Sequence, residues 1–367
     1  MSIWPEIKKA VNSDFNKPLN TLINHLAWYE NYAIFGEDSY VFQNKIILHE
    51  LYEDYELCMN SKSIQTETFD YVVTNNTEVG KALASIWGID AVDTLVGLST
   101  VEQVVQNTEA MTAVASSETA MTAMVDNETT NDAMFNSETA RNVIVNTEVA
   151  MSIVAYDERM LNNFANSETT LNQICSSEVA MKAVSGSDVA MNIFLNNEAA
   201  TNTMVVSDVA MTEISKSIFA MEQVSTAPKM VVAIAKNTAK WATSLKKTFF
   251  TNLCATKAIL VNMYDILMDS NYFTRKTNTY GTNPSYFDQY ATAEFAANGL
   301  IACALGTNGN TSSSTSMLID GELIIESNEY NQPTSVSSDQ VNAIGCPTAT
   351  FTQNGYGYMA IEVFIAK

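Results

Sequence analysis

The sequence predicts an α+β protein made of an N-terminal helical segment, an α-helical solenoid of ten-residue repeats and a C-terminal β-sandwich. Three observations carry that expectation. A decad recurs about a dozen times between Asn107 and Thr226 without losing register, and self-similarity at a fixed period signals stacked repeat architecture. Short helical patterns precede it. After Thr277 the composition turns to Thr, Ser, Gly, Asn and Tyr, with brief apolar runs between turn clusters.

Residues 1–75 form the first predicted region. Pro5 suits the first turn of a helix, where its missing N–H is not needed, and Ile7, Ala10 and Val11 then share one face. Asn12-Ser13-Asp14 breaks that helix, and Leu19, Leu22, Ile23 and Leu26 mark a second. The aromatic and acidic stretch from Trp28 to Tyr71 reads as a packing surface rather than a ligand box.

The repeat region is expected to span residues 76–228. Asn76-Thr77-Glu78-Val79 and Ser99-Thr100-Val101-Glu102 have the form of irregular early copies, as at the end of an array. In the strict decads, Asn107, Ser117, Asn127, Ser137, Thr147, Asp157, Ser167, Ser177, Ser187, Asn197, Ser207 and Ser217 form a column of helix N-cap residues. The acids that follow, Glu118 to Asp208, suit the positive end of a helix dipole. The column before the cap, which includes Ser116, Asp126, Asn136, Asn146 and Gly186, predicts a left-handed residue closing each helix. Apolar residues fill the Ala and Met columns (Ala110-Met111, Ala120-Met121 and their successors) and a third running from Val114 to Val224. Offsets of three and four place these on one helical face. One uninterrupted helix would need about 3.3 residues per turn, tighter than a coiled coil. About two turns of helix and a tight link per decad are therefore expected, giving a stacked body on the order of 100 Å long.

Residues 229–284 form a basic helical connector, with Lys229, Lys236, Lys240, Lys246, Lys247, Lys257, Arg275 and Lys276 against Asp265 and Asp269. This collar is expected to pair with the acidic array. The segment Ala255–Met268 is apolar on more than one stripe, as in a helix packed on several sides. Residues 285–367 read as the β-sandwich. Strand-like runs occur at Gly299–Leu305, Met317–Leu323, Thr348–Phe351 and Met359–Ile365, and the alternation in the last predicts burial on one face.

The net charge of −22 opposes nucleic-acid binding, since phosphates demand clustered Lys and Arg. No apolar run reaches the roughly 18 residues of a membrane span. The five cysteines are scattered, without CxxC spacing, and are expected to be free and buried. Histidine is confined to His25 and His49, and no His, Lys or Arg lies between Thr277 and Ala366. That removes a Ser-His-Asp triad, a Schiff-base lysine and a His-ligated metal from the terminal region. Paired carboxylates remain, with Asp288, Glu294, Asp320, Glu322, Glu326, Glu329, Asp339 and Glu362 as candidates by type alone. Surface acids are the simpler explanation. No motif demands a cofactor or metal, and no enzymatic activity is expected. Tyr286, Tyr290, Tyr330, Tyr356 and Tyr358, among Asn, Gln and Ser, have the composition of a surface that meets sugars or proteins.

The opening Met1-Ser2-Ile3-Trp4-Pro5-Glu6-Ile7-Lys8-Lys9-Ala10-Val11-Asn12-Ser13-Asp14-Phe15-Asn16-Lys17-Pro18-Leu19, with the Ser-Glu-Thr-Ala-Met-Thr-Ala repeats, resembles virion structural proteins of tailed bacteriophages, particularly tail-fibre and tail-appendage proteins. The resemblance covers a little under half of the chain. It implies an N-terminal segment that docks on tail, portal or collar proteins, a repetitive spacer, and a C-terminal domain that projects towards a host-surface glycan or protein. It further implies a homo-oligomer, often a trimer, assembled in the host cytoplasm into the virion. Host receptor or glycan binding through the β domain is the alternative expectation. A carboxylate-pair glycoside hydrolase ranks third.

Overall fold

The computed structural model describes residues 100–281, 293–307, 313–327, 333, 336–354 and 357–367. The expected helices over 2–26, the aromatic stretch 28–71 and the earliest repeats lie outside the described residues. The chain is helix-rich, with two small antiparallel sheets in its C-terminal region. It falls into two compact units, Met1–Phe164 and Ala165–Lys367.

The first unit contains α1 (Val101–Gln106), α2 (Thr108–Ala115), α3 (Glu118–Asp126), α4 (Glu128–Asn136), α5 (Glu138–Val145), α6 (Glu148–Val154) and most of α7 (Glu158–Ala165). The second continues with α8 (Glu168–Ser176), α9 (Glu178–Gly186), α10 (Asp188–Asn196), α11 (Glu198–Val206), α12 (Asp208–Lys216), α13 (Ile218–Ser225) and α14 (Pro228–Asn237). Each decad is thus one short helix, and the cap column supplies the start. Ser137, Ser177, Ser187, Ser207 and Ser217 each accept a hydrogen bond from the backbone N–H three residues on.

The expected left-handed closure does not occur. Ser116 (φ −85°, ψ −12°) and Asn146 (φ −110°, ψ 3°) keep negative φ, and the described positive-φ residues are Asp320 and Gly321. The reversal is instead made by the cap itself. Ser137 (φ −90°, ψ 120°) closes α4 and opens α5, so a single extended residue links two helices. Where one residue links two helices no room remains for a separate C-terminal motif, and the two-residue links Ser116-Ser117 and Asn146-Thr147 also keep negative φ.

Burial follows four columns rather than three. Besides the Ala, Met and Val114–Val224 columns, residues such as Ala115, Val125, Val145, Ala155, Cys175, Ser185, Leu195, Val205, Ser215 and Ser225 are buried. Where the second column breaks, Asn131 is fully buried and its Nδ2 donates to the Val125 carbonyl at 2.9 Å, while Thr130 Oγ1 donates to Met124.

Helices touch their chain neighbours and also the helix three along. In the first unit α1 meets α4, α2 meets α5 and α3 meets α6; in the second α8 meets α11, α9 meets α12, α10 meets α13 and α11 meets α14. Side-chain bonds follow the same spacing. Ser137 Oγ donates to the Val105 carbonyl, Ser217 Oγ donates to the Ser185 carbonyl at 3.1 Å, and Ser207 Oγ donates to the Cys175 carbonyl. The cap serine therefore accepts from its own helix and donates to the end of another.

After α14, a 3₁₀ turn (Thr238–Lys240) leads to α15 (Thr243–Ala255) and α16 (Lys257–Met268), which pack on α12 and α13 respectively. Trp241 Nε1 donates to the Val205 carbonyl at 2.8 Å and Asn252 Nδ2 to the Ser215 carbonyl at 2.6 Å, taking over the task of the cap serines. Trp241, Phe249 and Phe250 stack edge to face beneath them.

The strands are β1 (Phe273–Gly281), β2 (Gly299–Thr307), β3 (Ser314–Ile319), β4 (Glu322–Ser327), β5 (Ala343–Gly345), β6 (Ala349–Asn354) and β7 (Gly357–Ala366), with α17 (Ala293–Asn298) before β2. One sheet runs β1-β7-β2-β5 and the other β4-β3-β6. Two expectations change here. The run Met317–Leu323 is not one strand, because Asp320 (φ 51°) and Gly321 (φ 84°) form the tight two-residue turn of a β3–β4 hairpin. And β7 is buried on both faces from Met359 to Ala366, since it is central in its sheet, touches β3, and is also touched by α14 and α17. Strand β1, which the sequence placed within the connector, is an edge strand of that sheet.

The doubled role of the cap gives a prediction. Ser207→Ala removes an N-cap acceptor and leaves the Cys175 carbonyl without its serine donor. It is expected to cost about 1–3 kcal/mol in urea unfolding followed by circular dichroism. A cost below ~0.5 kcal/mol would show that the contact between α8–α9 and α11–α12 does not depend on this hydroxyl.

Candidate functional site

The tyrosines expected to form a partner surface are not gathered by the described structure. Tyr286, Tyr290, Tyr330 and Tyr356 lie outside the described residues, and Tyr358 is half-buried on β7 opposite Gly306. Of the candidate acids, Asp288 and Glu329 also lie outside. Glu326 and Asp339 are exposed, and Glu294 is exposed 3.9 Å from Lys276.

The remaining acids bind cations that the sequence assigned to a collar on the array. Lys247 Nζ lies 2.6 Å from Glu322, and Lys246 Nζ lies 2.9 Å from Asp320 in the hairpin turn. Lys246 is nearly buried, with 5% of its side chain exposed. Burial acts to raise the Asp320 carboxyl, but hydrogen bonds from Thr348, Lys246 and Thr243 outweigh it and hold the group below its ordinary value. Lys257 Nζ reaches the carbonyls of Asp339 and Val341. These basic residues clamp α15 and α16 onto the sheets. They do so because α15 and α16 lie against β3, β4, β5 and β1.

Glu362 is the exceptional acid, being fully buried in the middle of β7. The register places Arg275 of β1 opposite Phe364, one diagonal step from Glu362 on the same face. Arg275 Nη2 lies 2.6 Å from Glu362 Oε1. From α16, Tyr264 donates to the Val336 carbonyl at 2.9 Å and sits 3.2 Å from Glu362 Oε2, with its ring edge-on to Phe364. Burial raises the Glu362 pKa above its ordinary value, and Arg275 and the Tyr264 hydroxyl only partly counter this. Burial and the neighbouring Glu362 raise the Tyr264 phenol as well. Among the described residues, the partners of Glu362 are a guanidinium and a phenol rather than a second carboxylate, so this site ties a helix to two strands.

The described cysteines are free. Burial pushes Cys175 and Cys254 up to about 12 and raises Cys303 and Cys346, which leaves them as unreactive thiols near neutral pH. No cluster of His, Cys, Asp or Glu with metal-binding geometry occurs among the described residues, and no described helix is long and apolar enough to cross a membrane.

One concave feature was not signalled by any motif. A cavity of about 310 Å³ in the second unit is lined by Asn192, Asn196, Gln223, Lys229 and Tyr272 over a small apolar floor that includes Leu195 and Pro228. Its residues come from the ends of α10, α13 and the start of α14, and from the turn before β1. A surface Asn or Gln in a repeat carries no signal of its own, which is why the sequence did not single these out.

No family model matches the chain, and a search of curated proteins finds no match.

The buried carboxyl gives a pH prediction. A folded-state pKa raised above the ordinary carboxylate value of 4.5 means that Glu362 favours the fold most at low pH, and that this contribution is lost as pH rises through the folded value. Glu362→Gln should flatten the fall in melting temperature as pH rises above 4.5. Arg275→Ala should steepen it, because the buried charge loses its partner. Identical pH profiles for wild type and Glu362→Gln would show that the carboxyl is not perturbed.

Proposed function

We propose that this chain is a structural component of a bacteriophage virion, a tail-fibre or collar-like appendage. Its decads wind as a helical solenoid that acts as spacer and assembly surface, and its two C-terminal sheets form a β-sandwich. The observation that carries this reading is how the array's side chains are used. Four columns are buried, most cap residues serve their own helix while Ser137, Ser207 and Ser217 also donate to a carbonyl 32 residues earlier, and the fully exposed positions carry mostly small polar and acidic residues. Such a chain region is committed to stacking.

The opening residues Met1–Leu19 support the same reading through their likeness to tail-appendage proteins. The N-terminal region then docks on tail, portal or collar proteins, and the chain works as a homo-oligomer, a trimer. The virion is its location.

Two measurements test this. Light scattering on the purified 40.2 kDa chain should give the mass of a trimer, and antibodies raised against it should decorate the tails of intact particles. A stable monomer at micromolar concentration together with absence from particles would sink the proposal. The solenoid itself is tested by excision. Contacts that recur every third helix mean that removing three decads, Ser177–Val206, returns each face to an equivalent neighbour, whereas removing Ser177–Gly186 alone shifts every later helix by one side. The longer deletion is therefore expected to melt cooperatively close to the parent, and the shorter one several degrees lower. The reverse order would contradict the winding.

A further inference from the structure

The cavity beside Lys229 is framed by polar side chains whose hydrogen bonds fix their orientation. Asn192 and Asn196 stand one turn apart on the exposed face of α10. Asn196 Nδ2 donates to both the backbone carbonyl and Oδ1 of Asn192, each at 2.9 Å, and Lys229 Nζ donates to the Asn196 carbonyl at 3.0 Å. These bonds fix how the groups point. Among the described residues, Asn192 Nδ2 remains as a donor, Asn196 Oδ1 as an acceptor, and Lys229 keeps two further N–H donors. The Gln223 amide and the Tyr272 hydroxyl complete the rim. Donors and acceptors thus alternate over a small concave surface that holds one ammonium and one aromatic ring.

We propose that this cavity binds a saccharide. An amide offers a donor and an acceptor in one plane, which matches neighbouring hydroxyls, and an aromatic ring packs on the C–H face of a sugar. The volume is at the lower end of the range for small-ligand pockets, about 300–1,000 Å³. An apolar ligand is disfavoured because it would leave these polar groups without partners. A simple anion is disfavoured because Lys229 is the cavity's one cation and residues 107–226 carry sixteen Asp and Glu against four Lys and Arg, a net charge of −12. The site lies where the ends of α10 and α13 and the start of α14 meet the turn before β1. It does not depend on the virion reading, since it rests on the cavity alone.

The test uses the full-length protein and a panel of neutral hexoses, N-acetylhexosamines, uronic acids and sialic acid, with inorganic phosphate as the anion probe. Saturation-transfer NMR finds the binders and calorimetry gives the affinity. At least one saccharide should bind, and Asn192→Ala, Asn196→Ala and Gln223→Ala should each weaken it roughly three- to tenfold, with melting temperatures close to wild type. Tyr272→Ala should weaken it as well, whereas Tyr358→Ala should not. Three results would overturn the proposal: no saccharide binding at millimolar concentration, saccharide binding unaffected by the cavity substitutions, or binding of phosphate alone that disappears with Lys229→Ala.

Discussion

A helix of eight or nine residues leaves about four N–H and four C=O groups unpaired at its ends, nearly as many as it pairs within itself. That deficit is the constraint on which the array depends. The cap residue removes part of it twice over: Ser207 accepts from Ala210 N–H and gives its own proton to the terminal carbonyl of Cys175, thirty-two residues earlier. Ser137 and Ser217 do the same for Val105 and Ser185. Helices this short are marginal in isolation, so the bond between helices is part of what makes each one a helix. It also accounts for the buried serines, which would otherwise be a cost in an apolar interior.

The same terminal carbonyls dictate how the array gives way to the rest of the second unit. Once the decads stop there is no cap serine to serve Val205 and Ser215, and an indole and an amide replace it. Trp241 then brings Phe249 and Phe250 against the last helices. From there the joints are electrostatic. Lys246 with Asp320, Lys247 with Glu322, and Arg275 with Glu362 connect helices or an edge strand to the sheets. The change of sign in the connector thus reflects pairing with the sheet acids. The buried Glu362 is tolerated because guanidinium and phenol both face it, although burial still lifts its pKa.

Much of the array was legible because each signal is local and repeated. A Ser, Thr, Asn or Asp followed by an acid and an apolar pair marks a helix start wherever it stands. What escaped notice lacked a uniform chemistry. The fourth buried column mixes Val125, Cys175, Ser185 and Leu195, so no hydrophobic pattern betrays it. Strand β1 contains Arg275 and Lys276 and reads as polar connector, yet it lies on the edge of the sheet, where charge is compatible with pairing on one side. Asp320-Gly321 is a readable hairpin turn, hidden because Met317–Leu318–Ile319 and Leu323–Ile324 read as one apolar run. The cavity was invisible, since Asn192, Gln223 and Tyr272 are brought together only by contact between distant segments.

The sequence by itself determined the approximate length of each helix, its N-cap, three of its four buried columns and the acidic surface, because these depend on residues within a few positions of one another. It also determined that residues after Thr277 would form strands. Tertiary structure alone decided that, within each unit, helices meet the third one along, because that contact joins residues some thirty positions apart and no local residue type encodes it. It likewise decided which lysines meet which acids, and that β7 is buried on both faces. Those outcomes depend on elements far apart in the chain coming together, and the energies that choose among them are summed over the whole core.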